Sequence, residues 1–186
     1  IPIAAGLGGG SSDAAATIRA LSQLWMLDLS AQEQHAIAAQ FGSDINFFLE
    51  GGTALGLGRG EEISPLSDIP LDNIFLVNPG FGISSGEAYR LVTPMHSDDG
   101  WKKLIEEHDI RHAHNTLQSG ICDRYPRIRD IINHLSDTGA VKAILSGSGP
   151  TIIGFCPDRN TAQRLSEFYS TQGYWNYITK TKRRTR

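Results

Sequence analysis

At 186 residues with a formal charge of −3, the chain can bury a sizeable core and shows no global basic field of the kind that binds nucleic acid or an anionic membrane. Its two cysteines, Cys122 and Cys156, are far apart and outside CxxC spacing, so nothing suggests a disulfide framework or zinc knuckle and a reducing, cytoplasmic setting fits best. There is no run of about 18 apolar residues, so a membrane span is not expected within these residues, and no secretory signal is visible in a chain that opens at Ile1 within a loop.

The chain opens at Ile1 within a glycine loop made of Pro2, Ile3, Ala4, Ala5, Gly6, Leu7, Gly8, Gly9, Gly10, Ser11 and Ser12. A strand ordinarily feeds such a loop, so the sequence reads as a piece of a longer protein. Glycines let backbone N–H groups approach a ligand closely, and a helix beginning just after them adds free N–H groups and the positive end of its dipole. Together these features point to a phosphate site. The loop is not a Walker A loop, since no Lys-Ser or Lys-Thr follows the last glycine, and not a Rossmann loop, since Ser11 stands at the third glycine position. Hydroxyls beside the glycines can bond phosphate oxygens or help hold Mg²⁺.

The apolar stripe Ile18, Leu21, Leu24 and Trp25 predicts a helix from Ser12 to near Met26, capped by Ser11 or Ser12. Ser30-Ala-Gln-Glu33 is a capping-box pattern opening a second helix, which Gly42 should close. Asp44 then begins a short helical turn before Ile45-Asn-Phe-Phe-Leu49. It can be a plain N-cap or a base for a hydroxyl that attacks a phosphoryl group. Gly52–Leu57 and Glu61–Leu66 around Gly58-Arg-Gly60 read as a hairpin, with Pro65 placing the second arm at an edge. Arg59 reads as a turn residue.

Asn73–Val77 reads as a buried strand, followed by a helix capped by Ser84 or Ser85 and reaching about Val92. A polar connection from Thr93 to Asp99 reads as a loop or hinge. Helical patterns follow at Asp99–Glu107, His114–Arg124 and Pro126–Leu135, the last with Pro126 in its first turn. Strand Val141–Leu145 leads into a second glycine loop, Ser146, Gly147, Ser148, Gly149, Pro150, Thr151, which is either a β-turn or a second backbone cradle. A strand to Cys156, a helix over Arg159–Thr171 and a strand over Tyr174–Thr179 complete an α+β order. His108, His112 and His114 lack a metal-binding pattern and read as a solvated helix end. Trp25, Trp101 and Trp175 read as packing residues, and the basic run Lys180–Arg186 as a solvated terminus rather than a nucleic-acid or phosphate arm.

Pro2-x-x-x-Gly6-Leu-Gly8 with Ser146-Gly-Ser-Gly-Pro150 resembles the GHMP kinase superfamily. Ala5-Gly-Leu-Gly-Gly-Gly-Ser-Ser-Asp-Ala-Ala15, Gly42-Ser-Asp44, Gly51-Gly-Thr-Ala-Leu55, Gly58-Arg-Gly60 and Asn115-Thr-Leu117 before Arg124-Tyr-Pro126 narrow the resemblance to the kinases of 4-diphosphocytidyl-2-C-methyl-D-erythritol. The similarity runs from Pro2 to Cys156. It implies a ribosomal protein S5 domain 2-like N-terminal part, incomplete here (1–72), and a ferredoxin-like C-terminal domain (73–186), with both substrates in the cleft between the family's two domains. It implies ATP-dependent phosphorylation, with Mg²⁺, of the 2-hydroxyl of that cytidine diphosphate-linked methylerythritol, a step towards isoprenoid precursors. Pro2 to Ser12 would wrap the ATP phosphates, Asp44 would be the catalytic aspartate, and Ser146, Gly147, Ser148 and Gly149 would support the phosphate loop. Tyr89 would stack on the cytosine, or else be a core tyrosine. The family's first motif, a strand with a lysine that partners the aspartate, would lie upstream of Ile1, which assigns the activity to the parent protein. Two other readings are a homoserine- or mevalonate-type kinase and a non-catalytic nucleotide-binding module.

Overall fold

A computed structural model of the chain describes residues 1–92 and 100–184. The expected connection from Thr93 to Asp99 lies outside the described residues. The chain forms two compact units, one of Ile1–Leu7 with Pro70–Thr181 and a smaller one of Gly8–Ile69 with Lys182–Arg186.

The smaller unit contains α1 (Gly9–Leu24), α2 (Ala31–Ala38), α3 (Ile45–Glu50) and a hairpin of β1 (Ala54–Leu57) and β2 (Glu62–Pro65). α1 starts earlier than the serines predict. Gly8, at φ 64°, is its N-cap, and no side chain caps it. Only glycine takes that left-handed turn without strain, so the helix begins before Ser11 and Ser12, which sit in its first turn instead. α2 opens on the predicted capping box: Ser30 Oγ accepts from the Glu33 N–H, and Glu33 Oε2 accepts from the Ser30 N–H at 2.9 Å. It ends at Ala38 rather than running to Gly42. Three-residue bonds from Gln40 N–H to Ile37 O and from Phe41 N–H to Ala38 O tighten the chain out of the helix. The hairpin pairs Ala54 with Pro65 and Leu57 with Glu62. Arg59 is a turn residue as expected, its Nε 3.3 Å from Glu61 Oε1. The buried apolar cluster here is small: Ala15, Ala38 and Ile45, with Ile18, Phe48 and Leu49 against it.

The larger unit is built on β3 (Ile74–Asn78), β4 (Lys142–Leu145), β5 (Ile152–Phe155) and β6 (Trp175–Thr179), an antiparallel sheet in the order β4-β5-β3-β6. β3 and β5 are its inner strands, registered with Ile74 opposite Phe155. Counted within this sheet the strands run fourth, first, third, second across it, and helices connect the first to the second and the third to the fourth. That is the split βαβ arrangement of ferredoxin-like folds. α4 (Ser85–Arg90), α5 (Gly100–Glu107), a 3₁₀ turn (Ile110–His112), α6 (Gln118–Arg124) and α7 (Pro126–Asp137) lie between β3 and β4, and α8 (Arg159–Thr171) lies between β5 and β6. The stripe Ile128, Ile131, Ile132 and Leu135 packs with Phe75, Val77, Leu145, Ile152 and Leu165 in one buried core.

α6 begins at Gln118, four residues after the predicted start. Asn115 explains this: its Oδ1 accepts the Leu117 N–H at 2.9 Å, a local turn that keeps the chain out of helix until Leu117. The three tryptophans are not core residues, since Trp25 is 61%, Trp101 41% and Trp175 40% exposed. Trp25 follows the end of α1, where the apolar cluster is too small to cover it.

Candidate functional site

Two constellations hold the candidate residues, one in each unit. In the smaller unit the N–H groups of Gly9, Gly10 and Ser11 precede the first intrahelical bond of α1, Ser12 N–H to Gly8 O at 2.9 Å. A Cβ on Gly8 would stand 2.5 Å from the Phe48 ring, so glycine is required there by contact as well as by φ. That contact sets the start of α1 against α3, the helix that Asp44 precedes. Asp44 occupies the N-cap position of α3 in helical backbone (φ −79°, ψ −12°), and its carboxylate caps no N–H of that helix. It is exposed. The plain capping bond expected of an aspartate at this position is therefore not made. The hairpin turn borders the carboxylate: a Cβ on Gly60 would lie 3.8 Å from Ser43 Cβ and 4.0 Å from Asp44 Oδ1. Asn46, 4% exposed, fixes that turn by donating from Nδ2 to Glu61 O at 2.8 Å. Its Oδ1 is buried without a partner. Sequence reasoning did not single out Asn46.

In the larger unit the first part of the glycine loop docks through its carbonyls on Ile83 and on the second glycine loop. Ala4 O accepts the Ile83 N–H, Ala5 O accepts the Thr151 N–H, and Gly6 O accepts the Ser146 hydroxyl at 2.8 Å. The fit at Gly6 is close. Its φ is +71°, and a Cβ would lie 2.1 Å from Ser146 O and 2.7 Å from Gly149 N. Asn115 holds the second loop from outside, donating from Nδ2 to Leu145 O at 2.9 Å and Gly147 O at 2.7 Å. Its role comes from contacts 30 and 32 residues away, beyond what spacing reveals. Ser148 Oγ lies 3.5 Å from Ser85 Oγ at the start of α4. Ser84 caps α4, its hydroxyl accepting the Glu87 N–H. Tyr89 on the same helix is 68% exposed, which corrects the core reading of that tyrosine. Pro2 and Ile3 precede the docked segment, and Ile3 is 95% exposed.

Among the described residues, Glu107, Asp109 and His112 form a cluster with cation-ligand character, their ligand atoms within 4.8 Å of one another. Asp109 is already committed. Arg111 grips its carboxylate, with Nη2 2.6 Å from Oδ2, and holds it down at about 2. A guanidinium in that position repels a divalent cation, so the cluster does not fit Mg²⁺. Both cysteines are free and buried, and burial pushes the Cys156 thiol up to about 11, far from a reactive thiolate. The basic terminus is not simply solvated. Arg184 is docked, donating to Gly51 O and Thr53 O at 3.0 Å each. No helix among the described residues is long and apolar enough to cross a membrane.

Residues 1–52 match the GHMP kinases N terminal domain and residues 101–174 the GHMP kinases C terminal domain. The 4-diphosphocytidyl-2-C-methyl-D-erythritol kinase of Bacillus subtilis is 41% identical over 173 residues, which are 89% of this chain and 60% of the relative. The corresponding kinase of Caldanaerobacter subterraneus is 38% identical over 98% of this chain and 66% of its own length. The chain thus spans under two thirds of these curated relatives. A crystal structure of 4-(cytidine 5′-diphospho)-2C-methyl-D-erythritol kinase superposes with a TM-score of 0.82 at 28% identity, covering 98% of this chain and 68% of that one. Homoserine kinase from Cytophaga hutchinsonii shares the fold, with a TM-score of 0.73 at 15% identity over 99% of this chain and 68% of its own. With its two family domains in order and relatives matched along nearly all of its length, the chain belongs to the GHMP kinase superfamily and stands close to the 4-diphosphocytidyl-2-C-methyl-D-erythritol kinases.

Proposed function

We propose that the protein is an ATP-dependent kinase that phosphorylates the 2-hydroxyl of 4-diphosphocytidyl-2-C-methyl-D-erythritol. The observation that carries this reading is local to the smaller unit. An α1 N-terminus without a side-chain cap and a carboxylate that caps nothing, Asp44, belong to helices set together by the Gly8–Phe48 contact. The free N–H groups of Gly9, Gly10 and Ser11 suit phosphate oxygens, and the Ser11 and Ser12 hydroxyls add donors. Asp44 would accept the proton of the acceptor hydroxyl or orient it for in-line attack. Most of the rate enhancement would come from positioning and charge stabilisation.

Within the larger unit, Pro2 to Leu7, of which Ala5 and Gly6 bond Thr151 and Ser146 of the second glycine loop, would also serve the ATP phosphates, and Tyr89 has the exposure that stacking on a cytosine ring needs. Mg²⁺ would arrive with ATP and neutralise developing phosphate charge. Ser11 and Ser12, with Asp44, are the oxygen ligands the smaller unit could offer it. We further propose that residues 1–72 serve ATP and residues 73–186 the second half of the enzyme, acting in the cytoplasm on a small molecule and not on nucleic acid.

Asp44→Asn in the longest natural form of the protein should lower turnover by about 10²–10⁴-fold, with ATP affinity within twofold of the unaltered protein. Near-normal turnover would remove Asp44 from the mechanism. Assaying homoserine and mevalonate beside the cytidyl substrate tests the acceptor, and preference for either would redirect the reading within the superfamily.

A further inference from the structure

The basic C-terminal run is left unused by the kinase reading, yet its Arg184 makes a set of bonds that a solvated tail would not. The Arg184 N–H donates to Asp68 Oδ2 at 2.9 Å, and its Nη2 donates to both Gly51 O and Thr53 O. Asp68 Oδ1 in turn accepts the Thr53 N–H at 3.0 Å, and Thr53 Oγ1 accepts the Ile69 N–H at 3.1 Å. The partners are separated by 116 to 133 residues in the chain. The Arg184 Nε is shut off from solvent without an acceptor, so the seat is made by Nη2 and the backbone.

The two glycines at this point allow the arrangement. Gly51 and Gly52 have φ of 71° and 66°, and a Cβ on Gly52 would lie 2.2 Å from Asp68 Oδ1 and 3.2 Å from Arg184 Nη2. Gly51 is also the C-cap of α3, its N–H closing on Phe47 O. The guanidinium therefore meets the Gly51 carbonyl at the C-cap of α3, the negative end of the helix where a cation is stabilising, and the Thr53 carbonyl just beyond it. Arg19 of α1 donates to Leu49 O on the last turn of the same helix. A helix of six residues is only about 9 Å long and has too few internal bonds to hold its own position. What fixes its far end also fixes Asp44 at its near end.

We propose that Arg184, seated by Asp68, is a positioning residue: the C-terminal tail clasps the end of α3 and so sets the Asp44 carboxylate. The clasp stands on geometry alone. Its consequence for turnover rests on the kinase reading.

The test compares Arg184→Ala, Arg184→Lys and Asp68→Asn with the unaltered chain by amide hydrogen exchange. Residues 45–53 should exchange at least about tenfold faster in Arg184→Ala and in Asp68→Asn, with β3 and β5 unchanged and Arg184→Lys intermediate. Unchanged exchange at 45–53 in both Arg184→Ala and Asp68→Asn overturns the clasp. In the longest natural form, Arg184→Ala should lower kcat about tenfold with KM for ATP within twofold, and lysine should restore most of it. Faster exchange with unaltered kcat overturns the positioning role while leaving the clasp. Absence of turnover in the unaltered protein overturns the kinase reading and the positioning role together, and exchange still decides the clasp.

Discussion

The two units reach order by different means. The larger one is held by side-chain packing: Phe75, Val77, Ile128, Leu135, Leu145, Ile152 and Leu165 form a continuous core between a four-stranded sheet and its helices. The smaller one buries Ala15, Ala38 and Ile45 and leaves Leu24, Trp25, Met26 and Phe41 between 61% and 89% exposed. Its order comes from polar devices: the Ser30–Glu33 capping box, the Asn46 bond to the hairpin turn, and the Arg184–Asp68 clasp. Packed cores resist change because every lost methylene leaves a void. Polar devices are individually worth about 1 kcal/mol, so the unit bearing Asp44 is the softer one.

The contrast is broken most directly by removing apolar groups from each unit. Leu135→Ala should cost the larger unit about 3 kcal/mol in urea unfolding, because the side chain is fully buried between α7 and the sheet. Trp25→Ser should change the stability of the smaller unit by less than about 0.5 kcal/mol despite deleting a larger side chain. Equal costs at the two positions would show that the exposed tryptophan is covered in solution.

A pair of glycine substitutions sharpens the comparison inside the loop itself. Gly6→Ala forces a left-handed alanine and drives its Cβ into the Ser146 and Gly149 backbone, neither of which can turn aside. We expect the docked segment to be destabilised by at least about 2 kcal/mol, seen as fast exchange at residues 4–7 and 146–151. Gly10→Ala meets nothing within 4 Å and lies in helical backbone, so it should stabilise α1 by about 0.5–1 kcal/mol. If the first turn of α1 cradles phosphate, the same alanine should weaken ATP binding measured by calorimetry. A variant that is more stable and binds ATP as before would argue against the phosphate site.

These pairs also show where the sequence was informative. The α8 bounds, Arg159 to Thr171, and the Ser30–Glu33 box were legible because cap and stripe are local. β3 was legible as a short apolar run bounded by Asn73 and Asn78-Pro-Gly80. The α1 start was misplaced because serine is the commoner cap, whereas here Gly8 takes a left-handed turn and a Cβ there would meet the Phe48 ring. The chain order of both glycine loops and Asp44 was readable, and the resemblance supplied their roles. Asn115 was readable as part of a family motif, but what it, Asn46 and Arg184 hold was not, since each acts on backbone groups 15 to 133 residues away with no periodic trace.

The smallest effect concerns the charge state of the softer unit. Asp68 is held below the ordinary carboxylate value first by the Arg184 N–H, then by the Thr53 N–H, with the Arg184 and Arg183 charges adding. A lowered native value means that the unfolded state binds more protons in acid. The contribution is therefore complete above the unfolded value of about 3.9 and disappears as pH falls through the native one. Between pH 7 and 5 the clasp should not change. On further acidification residues 45–53 should lose exchange protection, after correction for intrinsic rates, before β3 does. Glu33 and Glu61 are also lowered, by their bonds to Ser30 and to the backbone at Glu61, and would loosen the same unit in acid. Asp68→Asn isolates the clasp from them: it should remove the acid-dependent step at residues 51–53 while leaving the acid response of α2 intact. An unaltered step in that variant would assign the acid sensitivity to the capping box and hairpin rather than to the tail.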